Sequence, residues 1–445
     1  MKVLIIGLGY AGLRWQHALE HVGRTCDIGM SIAYLDRRER PSTLERIGSF
    51  EEALEAFGPD LVVVSVNDVS HAAVLAELAG YRGFVICEKP LATPADDLGS
   101  IDSALASLNG FALNLVERYS AASQTLREWV ARHRWRLVRA HFNWGKDRIN
   151  DYRPTCGVTS EVIHALDLVS WICPTEGEWS VDEVIGVRSD FSISGPAVLD
   201  TVMVGATLGE VPVTGYSSFV NVVRQRTVDW SFVDDQAHVI HARLTFDTPC
   251  WDHDHLRVWM RDRDGTHLTL HETSEAPSEP GLETLLKLSR LCRDAVHWIA
   301  TQREPDLPFA DLRTAIKLQR LLNTLETRAK AAAVPARYIR SQNRVLLGED
   351  IDLAAPGGDT RTDRNGDGAP DGVLQNTIKI QNPAESDYLW FMGTSMAAPH
   401  AAGVAALIVS SGVTNPDEVE RLMKKTAVHP KKVEWDKYYG AGIID

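Results

Sequence analysis

The sequence predicts an α/β fold: a doubly wound parallel sheet, then an α+β domain with a mostly antiparallel open sheet, then a partial α/β segment of different texture. Three observations predict it. Short apolar runs alternate with helical patterns over residues 1–115. From residue 136 the pattern becomes polar–apolar alternation. Near residue 340 it changes again, to a Gly-, Asp- and Asn-rich stretch followed by a small-residue helix. The domain edges therefore fall at 1–120, 121–340 and 341–445.

The first domain's strands are Val3–Ile6, Ile32–Leu35, Leu61–Val66 and Phe84–Cys87, with helices at about 12–22, 50–57 and 71–80. Strands buried on both faces read as continuous apolar runs, which is the signature of βαβ units. A further helix is expected at 124–134. Residues 136–144, 184–191, 201–208, 237–246 and 256–262 alternate with the period of a sheet covered on one face. Asp264-Gly265 marks a hairpin turn. Helices at 282–303 and 309–331 close this part. In the last segment, 357–372 reads as a loop, and 395–411 and 416–426 as helices. The 395–411 helix is apolar nearly all round, which demands burial.

Composition excludes several function classes. Lys+Arg number 46 against 60 Asp+Glu, a formal charge of −14 over 445 residues. That argues against nucleic acid or an anionic membrane as the partner. The longest apolar stretches, such as Leu61–Val66 and Ala401–Val409, fall far short of the ~20 residues a spanning helix needs. Met1–Leu13 reads as a strand and turn, because glycines interrupt its apolar run. The six cysteines are scattered with no CxxC spacing, so neither a disulfide framework nor a zinc site is expected, and a reducing cytoplasm is the simplest setting.

Gly7-Leu8-Gly9-Tyr10-Ala11-Gly12 is a GxGxxG motif that follows a strand and opens a helix. Gly7 permits the tight turn, Gly9 lets backbone approach a pyrophosphate, and Gly12 allows close helix–strand packing. The helix start offers free N–H groups and a positive dipole end to phosphates. Asp36 ends the second strand, placed to accept from an adenosine ribose, which favours NAD. Arg37 and Arg38 follow at once and would suit a 2′-phosphate, so NADP stays open.

With that motif, Asn67-Asp68-Val69-Ser70-His71 after a strand, Glu88-Lys89-Pro90-Leu91 after the next, Asn114 with Arg118-Tyr119, and Glu161-Val162-Ile163-His164-Ala165-Leu166-Asp167, the sequence over about 1–338 resembles the Gfo/Idh/MocA oxidoreductases. The resemblance implies a Rossmann domain with an α+β partner, and NAD(P)-dependent hydride transfer on a sugar, cyclitol or keto-sugar. It further implies that Asn67, His71, Glu88 and Lys89 line the cofactor pocket, and that pairing into a homodimer or homotetramer is common. A partly desolvated Lys89 can move a hydroxyl proton or steady an alkoxide. His164 is its natural partner, and Asp167, three residues on, would orient the imidazole. One departure stands out. Members related to inositol dehydrogenase carry Asp four residues before the histidine, where this sequence has Ser160, with Glu161 rotated about 100° away on the helix.

Phe391-Met392-Gly393-Thr394-Ser395-Met396-Ala397-Ala398-Pro399-His400, with Ile351–Gly357 upstream and Tyr439-Gly440-Ala441-Gly442 near the end, closely resembles the last third of a subtilisin-like serine protease over about 343–445. The resemblance makes Ser395 the nucleophile. Serine needs a histidine base and an aspartate, and neither D-[ST]-G nor H-G-T occurs in residues 1–390. The tail is therefore expected to be catalytically incomplete and the chain to be chimeric. Asp363, Asn365 and Asp367 have calcium-loop spacing, but Leu374 stands where the twelfth-position Glu belongs. Two rival functions remain: a subtilisin-like endopeptidase, and a nucleotide-binding module without chemistry.

Overall fold

Val3–Ile6 are completely sequestered from solvent in β1 (Lys2–Ile6), as their unbroken apolar run requires. In the computed structural model, which describes residues 1–147, 155–189, 198–277, 281–332, 334–336, 352–379, 382–430 and 439–444, β1 is flanked by β2 (Ser31–Leu35) and β4 (Leu61–Val64). With β3 (Glu45–Arg46), β5 (Phe84–Cys87) and β6 (Gly110–Leu113) these form an all-parallel sheet of order β3-β2-β1-β4-β5-β6. Helices α1 (Tyr10–Thr25), α2 (His71–Glu77) and α3 (Leu98–Ala104) connect them. The order reverses between β1 and β4, the point at which such sheets open a crevice at their carboxyl ends.

A second sheet follows α4 (Ala121–His133). Its strands are β7 (Arg136–Asp147), β8 (Trp179–Ser189), β9 (Thr201–Leu208), β10 (Val211–Ser218), β11 (Val220–Val233), β12 (Val239–Thr245), β13 (Asp254–Arg261), β14 (His267–Glu275) and β15 (Val334–Ala336). The order is β14-β13-β12-β11-β7-β10-β9-β8-β15. β10 runs parallel to β7 and β15 parallel to β8, and the other six pairings are antiparallel. One face is covered by α5 (Thr159–Ile172), α7 (Leu312–Ala332) and α4, and its strands alternate buried and open residues, as in Val228, Trp230 and Phe232 of β11. A single apolar cluster runs from Leu4 through both sheets to Ala329, so the two layers share a core. On the opposite face of the parallel sheet, α6 (Leu286–Thr301) packs with α1 through Trp15, Leu19, Leu291 and Val296.

Met1–Tyr338 and Ile339–Asp445 are separate compact units. In the second, β16 (Val373–Lys379) and β17 (Asn382–Phe391) form an antiparallel hairpin, followed by α8 (Thr394–Ser410) and α9 (Pro416–Thr426). Asn415 caps α9, its side chain accepting from the N–H groups of Asp417 and Glu418. Val419 and Met423 are buried beneath it. The burial expected of the apolar helix is not met. No residue of α8 is buried, and Leu407 and Val409 are 69% and 44% exposed. The physical reason is local: a two-stranded hairpin and one short amphipathic helix present too little apolar surface to cover it.

Among the described residues no helix is long and apolar enough to cross a membrane. All six cysteines are free thiols.

Candidate active site

The site lies where the carboxyl ends of the parallel strands face α5. Gly7 follows β1 with φ +92°, and a Cβ there would fall 2.8 Å from Val66. A Cβ on Gly12 would fall 2.2 Å from the Gly7 carbonyl oxygen. Gly9 is different: it begins α1, a Cβ on it would meet nothing within 4 Å, and no side chain caps the helix. Tight packing at Gly7 and Gly12 with open space at Gly9 makes a cradle that fits a dinucleotide pyrophosphate. Tyr10 is exposed beside it and Ala11 partly so.

Asp36 sits at the end of β2, but its carboxylate already has partners. Oδ2 accepts from the Leu8 N–H at 3.0 Å and from Arg40 Nε at 3.0 Å, and Oδ1 from the Arg38 N–H at 3.0 Å. Burial alone would push its pKa up, yet the bonds to Arg38, Arg40 and Leu8 win and lower it. Arg40, rather than Arg37, is the guanidinium beside it, because the turn after β2 carries Arg37 and Arg38 out to solvent.

Asn67 is exposed and starts a short turn over Asp68–Ser70. His71 is buried: Nδ1 lies 2.6 Å from the Pro90 carbonyl oxygen and Nε2 3.1 Å from that of Val66. The ring thus sits between the carbonyls of two loops, where the sequence reading put a cofactor contact. Glu88 Oε1 likewise accepts from Trp15 Nε1 at 2.8 Å and Asn114 Nδ2 at 2.9 Å, fixing the loops after β5 and β6 to α1.

Lys89 Nζ donates to Glu161 Oε1 at 2.6 Å and to the Ser160 carbonyl oxygen at 3.3 Å. Glu161 Oε2 lies 2.5 Å from Lys146 Nζ. The rotation on the helix set Glu161 apart from the aspartate expected four residues before His164; the fold nevertheless brings the Glu161 carboxylate against Lys89, while Ser160 turns its hydroxyl back onto the Gly157 carbonyl at 2.8 Å. His164 is buried one turn along α5, stacked on Trp144 at 5.4 Å between centroids. Among the described residues its Nδ1 has no hydrogen-bond partner. Burial first, then the positive charges of Lys89, Arg226 and Lys146, hold its pKa well below the usual histidine value despite Glu161, so the ring is neutral.

The role expected for Asp167 is corrected. It does not orient His164, because both its oxygens are taken by Arg118, Nε at 2.7 Å and Nη2 at 2.5 Å. This bidentate pair is buried and ties the loop after β6 to α5. Behind Trp144 lies a buried ionic cluster. Arg226, at 5.4 Å from the Trp144 ring, pairs with Asp247 and approaches Glu117 at 3.7 Å. Lys287 Nζ reaches Glu117 at 2.6 Å, Asp247 and Asp254 at 3.2 Å, and Asp252 at 3.7 Å.

Sequence reasoning gave Glu161 no role at the site and missed Lys146 and this cluster. A signal existed for Lys146: Ala140, Phe142 and Trp144 of β7 are buried in alternation, and the next position in that phase is a lysine.

In the second unit Ser395 is exposed in the first turn of α8. His400 Nδ1 lies 2.8 Å from the Met396 carbonyl oxygen. Asp363 accepts from the N–H groups of Gly366 and Gly368, and Asn365 donates to Asp367 at 2.9 Å, so the loop's own groups satisfy these side chains. Among the described residues no group of three or more His, Cys, Asp or Glu is placed to hold a metal ion.

Two family models match this chain. Residues 1–112 match the Gfo/Idh/MocA oxidoreductase family with its NAD-binding Rossmann fold. Residues 333–442 match the subtilase family. The two matches fall on separate stretches of the chain. An inositol 2-dehydrogenase of Acidiphilium cryptum (strain JF-5) is 25% identical over 182 residues, 39% of this chain and 54% of that protein. The chain thus spans about half the length of this curated relative. A UDP-N-acetylglucosamine 3-dehydrogenase structure from Acidithiobacillus ferrooxidans is similar over 75% of this chain and 98% of its own, with TM-score 0.56 and 17% identity. A levoglucosan dehydrogenase in complex with NADH is similar over 75% and 98%, with TM-score 0.57 and 13% identity. These likenesses establish the fold: a Rossmann sheet followed by a mixed-sheet domain.

Proposed function

We propose that residues 1–338 form an NAD(P)-dependent oxidoreductase acting on a sugar-, cyclitol- or keto-sugar-like carbonyl/alcohol pair. The carrying observation is that Lys89, after β5 of the same parallel sheet whose β1 leads into the glycine cradle, is held by Glu161 of α5, one turn before the buried, neutral His164. The named relatives, a cyclitol dehydrogenase and two sugar dehydrogenases, point to the same substrate class. A bound nicotinamide would supply or accept the hydride. The Gly7, Gly9 and Gly12 cradle would hold its pyrophosphate, and Asp36 would accept from its ribose. Lys89 holds the proton that the substrate oxygen gains or loses. Neutral His164 offers its unpartnered nitrogen as a hydrogen-bond partner to a substrate hydroxyl. Arg118–Asp167 positions α5, which carries His164 and the Glu161 that holds Lys89.

Asp36 at the ribose makes NAD the preferred nucleotide; Arg40 beside it keeps some NADP binding. The free thiols and the absence of CxxC spacing agree with a reducing, cytoplasmic setting. The open face of the second sheet is the surface for pairing subunits.

The test is a titration with NADH and with NADPH, followed through the chain's tryptophan fluorescence, then a panel of cyclitols, keto-cyclitols and keto-sugars read by absorbance of the reduced nucleotide. Saturable micromolar NADH binding and turnover that Lys89→Met abolishes are expected. Absence of binding by both nucleotides would overturn the reading, and binding without turnover on any panel member would favour a nucleotide-binding module.

Residues 343–445 do not act as a peptidase on this reading. Ser395 sits at a helix start, where the dipole aids an alkoxide, but the histidine and aspartate surroundings of the family are missing from the sequence. A fluorophosphonate probe is expected to leave Ser395 unlabelled. Labelling lost in Ser395→Ala would reinstate the endopeptidase.

A further inference from the structure

Glu161 lies between two lysines from different layers. Lys89 comes from the loop after β5 and Lys146 from β7, while the carboxylate projects from the first turn of α5. The side chains are 16%, 9% and 4% exposed for Lys89, Lys146 and Glu161. Withdrawing three charges from water costs several kcal/mol per ion in general, and among the described residues two ammonium groups meet this one carboxylate, which is harder to justify for stability than a simple pair. Such sets concentrate at functional sites.

The ratio has a chemical consequence. With one lysine, a buried carboxylate would be left unpaired whenever that lysine lost its proton, which opposes the loss. A second ammonium on the other oxygen removes this penalty. From residue 160 it is the carbonyl oxygen that reaches Lys89 beside the Glu161 carboxylate, so among the described residues α5 supplies no second carboxylate there.

We propose that Glu161 and Lys146 are the positioning pair of this site: Glu161 holds Lys89 in place, and Lys146 keeps Glu161 paired while Lys89 gives its proton to a substrate oxygen. The proposal rests on the oxidoreductase reading. In carbonyl reduction the Lys89 Nζ–H bond breaks and an O–H bond forms on the substrate oxygen. The carbonyl carbon takes the hydride carried by reduced nicotinamide. Lys89 is left neutral and Glu161 stays ionised against Lys146. Lys89, the most exposed of the three, regains its proton from solvent. Neutral His164 does not compete for it.

The test measures the reactivity of Lys89 in the full chain, so it needs no substrate. Trinitrobenzenesulfonate labels only neutral amines, and peptide mass spectrometry reads the rate at Lys89. Glu161→Gln is expected to raise that rate at least threefold, because the carboxylate holding the ammonium is gone. Lys146→Met is expected to lower it at least threefold, because Glu161 then loses the ammonium on its other oxygen and holds the Lys89 proton more tightly. Lys146→Arg, which keeps the charge, should stay within twofold of the wild type. Opposite signs are the signature; equal signs, or no change in either variant, would overturn the proposal. NADH binding is measured on the same samples. If the wild type binds no nucleotide, the oxidoreductase reading falls while the labelling still decides the pair. On any carbonyl of the panel that is turned over, Lys146→Met should lower kcat at least tenfold with KM changed less than threefold. A loss confined to KM would make Lys146 a substrate-holding group and sink the positioning role.

Discussion

Glu117 shows how far a side chain's surroundings can move its chemistry. It is completely buried, and burial, with Asp247 and Asp254 nearby, outweighs Lys287 and Arg226 and pushes its pKa up to about 7. Asp247 in the same cluster moves the other way, held low by Lys287 and Arg226 in spite of burial. A carboxyl whose folded value is raised from 4.5 to about 7 favours the fold in its protonated form. Its contribution is therefore complete below about 4.5, falls as pH rises through 7, and is constant above. Glu117→Gln should flatten that part of the stability–pH curve, raising stability at pH 8 relative to pH 5 when compared with the wild type. Urea melts at the two pH values check this. At Gly12 the argument is steric. A side chain there meets a backbone oxygen at 2.2 Å, which cannot rotate away. Gly12→Val should weaken NADH binding more than tenfold and cost about 1–3 kcal/mol of stability, read by fluorescence titration and urea melts. The glycines were legible in the sequence because their constraint is local. Glu117 was not, since nothing in Glu117-Arg118-Tyr119 announces neighbours 109 to 170 residues away.

Elements obeyed the sequence where one face decides their fate. The run Phe84–Cys87 became β5 without change, and the alternation at 201–208 became β9. β11 was harder to read. Its core phase includes Arg226 alongside Val228, Trp230 and Phe232, and a charge in that phase breaks the apolar period. α8 is the opposite case. Its composition demands burial, but burial is a property of what lies nearby. With Leu407 and Val409 open to water, α8 exposes apolar side chains of the kind that promotes self-association. Leu407→Glu with Val409→Ser should shift the chain toward the monomer in light scattering while leaving its melting temperature within about 2 °C, since neither side chain supports the core.

For the whole molecule, the two units differ in what they can do alone. Both apolar clusters draw only on residues between Val3 and Ala329, and every group placed at the candidate site lies in the same span. A chain ending at residue 338 should bind NADH within twofold of the full-length protein. A loss of binding in the shortened chain would show that 339–445 contributes to the nucleotide site.

The sequence by itself determined the order of layers, the glycine cradle, the lysine after β5, the histidine on α5 and the foreign tail. Each depends on contiguous residues: a periodicity, a turn, or a motif read in one stretch. Only the tertiary structure decided what each charged group would face. It placed Glu161 against Lys89 and Lys146, assigned Asp167 to Arg118, and closed His71 and Glu88 into loop ties. Charge pairing acts through space at 2.5–3 Å between residues far apart in the chain, and no spacing along the sequence encodes that distance.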